Sequence, residues 1–269
     1  MARARHASAV LLLTASAACV PRASVNSCNS TAARTTGSKA AARNSPLLAC
    51  RTTPLGKILA AQFFPSETTF GYLSLLRQLL RRFGVPLAFY GDHSAVFVRN
   101  DDNWTVDEQL AGKRQPTQFG RALEQLGVTF IAANSPQAKG RVERLWGVLQ
   151  DRLCSELRLA GAHDLDSANA VLRKFISDYN RRFARQPREN ATAWRPAPDS
   201  LDRSCCFVHE RTVSNDNVVQ WEGRRLQIPQ QARRFTFAGA KVHIYQALNG
   251  RVRLYYGDTR LEHTNSPWG

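Results

Sequence analysis

Two carboxylates stand at positions from which they could take part in chemistry. Asp92 follows an apolar segment, Pro86 to Tyr90, that is typical of a short strand, so its side chain can point out of a sheet edge into a cleft. Glu143 lies on a predicted helix, one position from its apolar stripe and among basic residues. A carboxylate in a cleft can serve as a proton acceptor or a metal ligand. Both residues also have ordinary structural explanations, because Asp is common in turns and Glu beside arginine often forms a solvated salt bridge.

The composition narrows the class of partner. The chain has 269 residues, 43 % of them hydrophobic, which suffices for one medium domain and a small one. Its formal net charge of +16 favours a polyanion, because each Lys or Arg placed on a phosphate releases condensed counterions. Nucleic acid is the first candidate and a membrane surface the second. No segment has the roughly 20 consecutive apolar residues of a membrane span, so the sequence excludes an integral membrane protein.

The six cysteines indicate a reducing compartment. They form no CxxC pair, and none lies at zinc-ligand spacing with a histidine. A cytoplasmic protein with incidental thiols fits this pattern best.

The segment from Lys57 to Ala132 alternates strand and helix patterns. The expected elements are a strand at Lys57–Phe64, a helix capped by Ser66 and ended by Gly84, a strand at Pro86–Tyr90, a helix at Gln118–Leu126 capped by Thr117, and a strand at Val128–Ala132. The polar run from Arg99 to Pro116 is expected to be a surface loop. This order predicts an α/β fold, a mixed sheet with helices packed on it.

The rest of the chain divides into helices, a linker and short strands. Ala138–Leu159 has the apolar stripe of a long amphipathic helix, and Asp166–Phe183 predicts a second helix. Residues 186–205 are rich in Pro and Arg and are expected to form a linker. In residues 206–265 the apolar period becomes two, and Asn249-Gly250 between alternating runs is a strong hairpin signal. A small β-barrel of about five strands is expected there.

The first fifty residues differ from everything that follows. They contain no Asp or Glu and show neither helical nor strand periodicity, so we expect residues 1–55 to be disordered. Their beginning does mimic a secretory signal, with Arg3 and Arg5 followed by the apolar run Ala9 to Leu13 and small residues before Cys19. Export therefore stays open as an alternative.

Two motifs give the carboxylates a family context. The run Asn134 to Arg144, NSPQAKGRVER, closely resembles the segment around the catalytic Glu of DDE transposases with an integrase core. The run Tyr90 to Phe97, YGDHSAVF, is similar to the segment that carries the second Asp of that family. Asp178 to Phe183 and Arg211 to Val213 continue the resemblance, which is to ISNCY-type transposases and covers about Leu55 to about His263.

The resemblance implies a fold and an activity. The fold would be an RNase H-like catalytic core, partial here over residues 56–185, followed by a small SH3-like β-barrel. In this family three carboxylates hold two Mg²⁺ or Mn²⁺ ions for DNA strand cleavage and transfer during transposition or integration. The implied partners are DNA, as transposon ends and target, and either a second copy or an intact transposase.

The same resemblance assigns roles to individual residues. Asp92 and Glu143 would be two of the three metal-binding and catalytic carboxylates. The implied DNA contacts lie just before and on the helix that carries Glu143, and they are Asn134, Lys139, Arg141 and Arg144.

The chain departs from the family where the first Asp is expected. The phrase Ile-Asp-Asp-Ala-Thr-Gly would align with Thr52 to Gly56, which contains no carboxylate. Codons GAC GAC GCC ACT followed by G, read one base late, encode Thr-Thr-Pro-Leu, as found here. We therefore expect the segment up to about Leu55 to be read out of frame, as in an N-terminally truncated or frameshifted transposase. Such a chain would lack the third metal ligand and the N-terminal helix-turn-helix region, and would be catalytically defective alone.

Three classes of function remain open at this point. The first is a transposase homologue that is inactive by itself. The second is a DNA-binding remnant without enzymatic activity. The third is an exported basic protein that uses the segment Met1 to Cys19. Complementation with an intact N-terminal half separates the first two, and the location of the mature protein tests the third.

Overall fold

The structure is a computed structural model that describes residues 10–15, 45–52, 56–91, 94–99, 101–132, 149–184, 194–230 and 234–267. The chain folds into two compact units, Met1–Asp199 and Ser200–Gly269. Their boundary falls within the expected linker, residues 186–205. Each unit is described by itself.

The first unit combines short strands with helices. Its strands are β1 (Val10–Ala15), β2 (Leu47–Thr52), β3 (Ile58–Phe63), β4 (Val85–Pro86), β5 (Ala88–Gly91), β6 (Thr129–Ala132) and β7 (Trp194–Arg195). Its described helices are α1 (Thr69–Phe83), α2 (Val106–Ala111), α3 (Gln118–Gln125), α4 (Cys154–Leu159) and α5 (Leu165–Phe183), and a π-helical turn, Leu149–Leu153, leads into α4.

Five of these strands form one mixed sheet in the order β3-β2-β1-β5-β6. The pairs β3-β2 and β2-β1 are antiparallel, whereas β1-β5 and β5-β6 are parallel. Strand β4 pairs separately with β7. A mixed sheet with helices packed on it is the architecture that the sequence predicted.

Strand β2 is covered on both faces. Its residues Leu47, Leu48, Ala49 and Cys50 are almost completely buried. Leu48 lies against α1, since a Cβ at Gly71 would be 3.0 Å from its Cδ1 atom. Leu47 and Ala49 belong instead to a buried cluster with residues of the π-helical turn, α4 and α5. The sheet is therefore sandwiched between α1 and the helices α4 and α5.

The N-terminal expectation is wrong for two segments. Residues 1–55 were expected to be disordered, but β1 and β2 lie within them and pair along their whole lengths, from Val10 with Thr52 to Ala15 with Leu47. A strand ladder is made by backbone groups, so the lack of acidic side chains does not prevent it. The apolar run that mimics a secretory signal overlaps β1.

Helix α1 begins two residues later than expected. Its N-cap is Thr68, whose hydroxyl accepts a hydrogen bond from the Gly71 N–H, and not Ser66. It ends at Gly84 as predicted, at φ +89°. Leu73, Leu76 and Leu80 of this helix are buried, whereas Phe70 is exposed.

The expected surface loop from Arg99 to Pro116 contains a helix. Thr105 caps α2 through a capping box with Glu108, whose side chain in turn binds the Thr105 N–H. The reciprocal cap satisfies two backbone donors at once. Further along the chain, Thr117 caps α3 as predicted, and β6 follows. The long helix expected at Ala138–Leu159 is described only from Leu149 onward.

The second unit is a short helix followed by antiparallel strands. Its elements are α6 (Leu201–Ser204), β8 (Cys206–Thr212), β9 (Val218–Trp221), β10 (Arg224–Gln227), β11 (Lys241–Ala247), β12 (Val252–Tyr256), β13 (Thr259–Leu261) and β14 (Thr264–Pro267). They form a sheet β14-β10-β9 and a sheet β13-β12-β11-β8. Asn249-Gly250 makes the predicted hairpin between β11 and β12, with Gly250 at φ +79°.

Both sheets of the second unit share one core. Val219, Trp221 and Leu226 from the first sheet pack in the same buried cluster as Ile244 and Leu254 from the second. This all-β unit matches the expected position of the small barrel, residues 206–265. Its SH3-like form remains a prediction.

Candidate functional site

The residues to which the sequence assigned roles all lie outside the described residues. They are Asp92, Asn134, Lys139, Arg141, Glu143 and Arg144. The structure does describe the strands and helix that lead into and away from them. These elements fix where the two motif segments leave the sheet.

The two motif segments leave the sheet at one edge. Strand β5 ends at Gly91, directly before Asp92, and β6 ends at Ala132, just before Asn134. The two strands are parallel neighbours, and Gly91 is the register partner of Ala132. The chain segments with Asp92 and Asn134 therefore start side by side. Ligands of open α/β sheets bind at such a carboxyl edge.

Gly91 itself is required by close packing. A Cβ at this position would lie 2.8 Å from the Phe130 ring and 3.3 Å from the Phe97 ring. The Phe97 and Phe130 rings are stacked, with centroids 5.4 Å apart. Sequence reasoning missed this role for Gly91, although the Phe of the second motif was a signal for it.

Phe97 anchors the chain on the other side of Asp92. Its ring also makes edge contacts with Tyr72 and Phe119, at centroid distances of 5.0 and 5.1 Å. Its carbonyl accepts a hydrogen bond from the Thr117 hydroxyl at 3.3 Å. Residue 92 is therefore preceded by Gly91, where close packing leaves no room for a side chain. It is followed five residues later by Phe97, whose ring packs against other aromatic rings.

The position expected for the missing carboxylate is not level with Asp92. Thr52 to Gly56 was expected beside Asp92, but β2 runs antiparallel to β1, and Thr52 pairs with Val10 at the amino end of β1. Because Val10 also pairs with Phe89 of β5, Thr52 is level with Phe89, three positions before residue 92. Thr52 belongs to the turn between β2 and β3, where it accepts a hydrogen bond from the Lys57 N–H at 3.3 Å.

Strand β1 is the element that runs beside β5 toward the candidate edge. Leu11 is the register partner of Tyr90, so continuing the register places Leu12 beside Gly91 and Leu13 level with position 92. From Leu13 to Ala15 the strand has no carboxylate. The missing first carboxylate remains a prediction, and the strand next to β5 at this level is β1, not the segment Thr52 to Gly56.

The helix predicted to carry Glu143 is described only from Leu149 onward. This part contributes Leu149, Leu153 and Leu157 to the buried cluster that holds Leu47 and Phe63. The cluster runs the length of β3, from Ile58 to Phe63. The four-residue steps show that one helical stripe faces the sheet.

A buried carboxylate orders the segment after the aromatic anchor. Glu108 is 2 % exposed and accepts hydrogen bonds from the N–H groups of Thr105 and Gln115, both at 2.9 Å. Arg99 forms an ion pair with it at 2.5 Å. The two backbone hydrogen bonds, with the Arg99 charge, lower the pKa of Glu108 to about 2. This carboxylate is structural, and no sequence pattern around it indicates its burial.

The described residues offer no further metal site and no membrane-spanning helix. They contain no group of three or more His, Cys, Asp or Glu side chains close enough to hold a metal ion. Among them there is also no helix of the length and apolarity that crossing a bilayer requires.

Comparison with known proteins gives two related transposases. A protein named as a transposase, y4bF of Sinorhizobium fredii, is 36 % identical over 200 residues, which are 73 % of this chain and 42 % of that protein. The transposase for insertion sequence IS1202 of Streptococcus pneumoniae is 31 % identical over 210 residues, 78 % of this chain and 44 % of that protein. The chain thus spans less than half the length of either relative. No family model matches the chain.

Solved structures give more distant similarities. The HTLV-2 integrase catalytic core domain in complex with magnesium is 18 % identical, with a TM-score of 0.32 over 48 % of this chain and 71 % of that one. The simian T-cell lymphotropic virus intasome is 16 % identical, with a TM-score of 0.34 over 83 % of this chain and 76 % of that one. The sequence matches, at 36 % and 31 % identity, are the decisive ones. They show that the chain is related in sequence to bacterial transposases, consistent with the DDE type that its two motifs resemble.

Proposed function

We propose that this chain is part of a transposase that acts on DNA by metal-assisted phosphoryl transfer, and that it is catalytically defective by itself. The observation that carries the proposal is the parallel register of Gly91 with Ala132. It starts the segments with Asp92 and Glu143 from one sheet edge, as a shared metal site requires.

The donor chemistry of these segments fits a divalent cation. Asp92 and Glu143 are hard oxygen ligands of the kind that Mg²⁺ and Mn²⁺ prefer. When bound, such ions stabilise the charge that develops on the transferred phosphate. Lys139, Arg141 and Arg144 would neutralise neighbouring phosphates, and Asn134 would help to orient them.

The defect is the missing third carboxylate. In this proposal it belongs on the strand that occupies the place of β1, level with position 92, and not at Thr52. Residues Leu13 to Ala15 offer no oxygen ligand except the Thr14 hydroxyl. A site with two of its three carboxylates has lost much of its negative charge, so weaker metal binding is expected.

The test compares two versions of the chain in a DNA-nicking assay with Mg²⁺ or Mn²⁺. One is the chain as it stands, and the other has the codons before Gly56 read in the alternative frame, with the in-frame upstream half. We expect no metal-dependent nicking from the first and nicking from the second. Nicking by the first version would contradict the proposed defect.

Substitutions in the restored version test the site itself. Glu143→Gln and Asp92→Asn should each abolish nicking, because each removes a charged ligand. Glu156→Gln is the matched control, since Glu156 is exposed on α4 of the same predicted helix. Activity that survives Glu143→Gln would overturn the assignment of the active site.

A second candidate is a DNA-binding protein with no catalytic role. The carboxylate-free end of β1 favours it. If the restored version also fails to nick DNA while both versions bind it, this candidate replaces the first. Its partners would be DNA and either a second copy or an intact transposase, and co-purification with an intact transposase would test the latter.

A further inference from the structure

The second unit contains a cavity lined by arginines. It has a volume of about 600 Å³ and receives residues from both sheets. Arg224 comes from β10, Arg253 from β12 and Arg260 from β13, while Arg251 stands just before β12. None of the described residues that line it is acidic. The cavity therefore gathers four positive charges contributed by β10, β12, β13 and the turn before β12.

These four arginines differ from the other basic residues of the unit. No described carboxylate lies within ion-pair distance of any of them. By contrast, Arg225 pairs with Asp216 at 2.9 Å, Lys241 with Glu210 at 2.9 Å, and Arg203 with Asp258 at 3.3 Å. Arg211 and Arg234 lie over the rings of Trp221 and Phe237, at 5.2 and 5.0 Å.

Gathering unpaired charges of one sign is unfavourable for the folded unit. Like charges repel, and a concave site lined by one sign of charge focuses the field although the four arginines themselves are exposed. His263 also lines the cavity; burial lowers its pKa and the Arg260 charge lowers it further, against a hydrogen bond with the Leu261 backbone that raises it. The arrangement becomes favourable when an anion with several charges enters the cavity.

The chemistry of the lining fits the oxygens of phosphate groups. Guanidinium groups present forked N–H donors that match phosphate oxygens in bidentate geometry. Four of them in one cavity can bind several oxygens of neighbouring phosphates at once.

The size and charge of the cavity suit a short stretch of a polynucleotide backbone. Cavities of about 300–1,000 Å³ hold molecules of nucleotide size, whereas a whole duplex can only present its phosphates to one. We infer that this cavity of the second unit binds the phosphates of a nucleic-acid backbone, through Arg224, Arg251, Arg253 and Arg260. The choice of a polynucleotide over a free phosphate compound rests on the proposed function. The assignment of a phosphate site rests only on the residues that line the cavity.

The experiment measures binding of fluorescent oligonucleotides to the full chain over a range of salt concentrations. Arg253→Gln together with Arg260→Gln should weaken binding about tenfold or more and reduce the salt slope by about 0.9 for each lost phosphate contact. Arg225→Gln is the matched control for a single substitution, because it removes the same charge from β10 at a position that is already paired. It should leave the slope unchanged, whereas Arg224→Gln on the same strand should reduce it.

The outcomes separate this inference from the proposed function. If the chain binds DNA and the cavity variants bind it with unchanged slope, the cavity inference is wrong and the proposed function stands. If inorganic pyrophosphate displaces the oligonucleotide at an equal concentration of phosphate groups, the site is one for small polyphosphates and the polynucleotide assignment is overturned. If the variants lose oligonucleotide binding while their thermal unfolding matches that of the unsubstituted chain, the inference is supported whatever the nicking assay gives.

Discussion

The side chain of Asn180 makes both backbone hydrogen bonds of Ile58. Its Oδ1 accepts from the Ile58 N–H at 2.8 Å, and its Nδ2 donates to the Ile58 carbonyl at 2.8 Å. Asn169 makes the same two hydrogen bonds with the backbone of Phe63. Its Oδ1 accepts from the N–H at 2.8 Å, and its Nδ2 donates to the carbonyl at 3.2 Å. Both amides project from α5 onto β3, the edge strand of the sheet. The helix thus satisfies backbone groups that would otherwise be open to another strand.

The first prediction concerns the contacts of α5 with the edge strand β3. Asn180→Ala removes the partners of two partly buried backbone groups, so we expect the free energy of unfolding to fall by about 1–3 kcal/mol. Denaturant unfolding followed by circular dichroism measures this, and light scattering should show more aggregation. Ser177→Ala, at an exposed position of the same helix, is the control. An equal loss for both variants would mean that the amide contacts contribute nothing specific.

The second prediction concerns Glu108 and acid. Its pKa of about 2 lies below the ordinary 4.5, so the charged carboxylate stabilises the fold fully above pH 4.5 and loses this effect as the pH falls toward 2. Glu108→Gln should therefore lower the melting temperature at pH 7 and make its fall between about pH 5 and 2 shallower. Glu124→Gln, exposed on α3, should change neither. If the melting temperatures of wild type and Glu108→Gln fall equally steeply between these pH values, the prediction is refuted.

The third prediction concerns Gly84. It has φ +89° and ψ −165°, a region that only glycine occupies readily, and a Cβ there would overlap the Arg195 carbonyl oxygen. Gly112 also has a positive φ, but a Cβ there would meet nothing within 4 Å. Gly84→Ala should destabilise the first unit by more than the roughly 1–2 kcal/mol of left-handed strain expected for Gly112→Ala. Equal melting temperatures of the two variants would contradict the close approach of β7.

The fourth prediction concerns DNA. A net charge of +16 should give binding to duplex DNA that depends steeply on salt and weakly on sequence, because phosphate contacts carry no sequence information. Titrations at low and moderate salt with two unrelated duplexes test both parts. A flat affinity over this range would show that the positive charge is not used on phosphates.

The sequence predicted the elements whose signals are local. Helix α3 has its Thr117 cap and β3 its apolar run within a few residues, and both are found as expected. The hairpin at Gly250 depends on one dipeptide and is also found. Such elements need no information from distant parts of the chain.

The features that the sequence did not reveal depend on contacts between residues separated along the chain. The burial of Glu108 needs donors from Arg99 and Gln115, and nothing in the polar run between them indicates that they meet. The level at which Thr52 lies follows from the antiparallel course of β2, which only the pairing with β1 defines. Strand β1 itself was missed because a run of leucines amid Ala, Ser and Arg has no period. Convergence of Asp92 with Glu143 remains a prediction.

Strand β1 lies in the middle of the five-stranded sheet. Among the described strands it alone connects the antiparallel pair β2-β3 with the parallel pair β5-β6. It does so through main-chain groups, which any extended segment carries. A chain that begins after residue 44 would therefore leave an open gap between β2 and β5, and a separate peptide could pair with both strands there in trans. The first catalytic ligand of such an enzyme could then arrive on a different polypeptide from the other two.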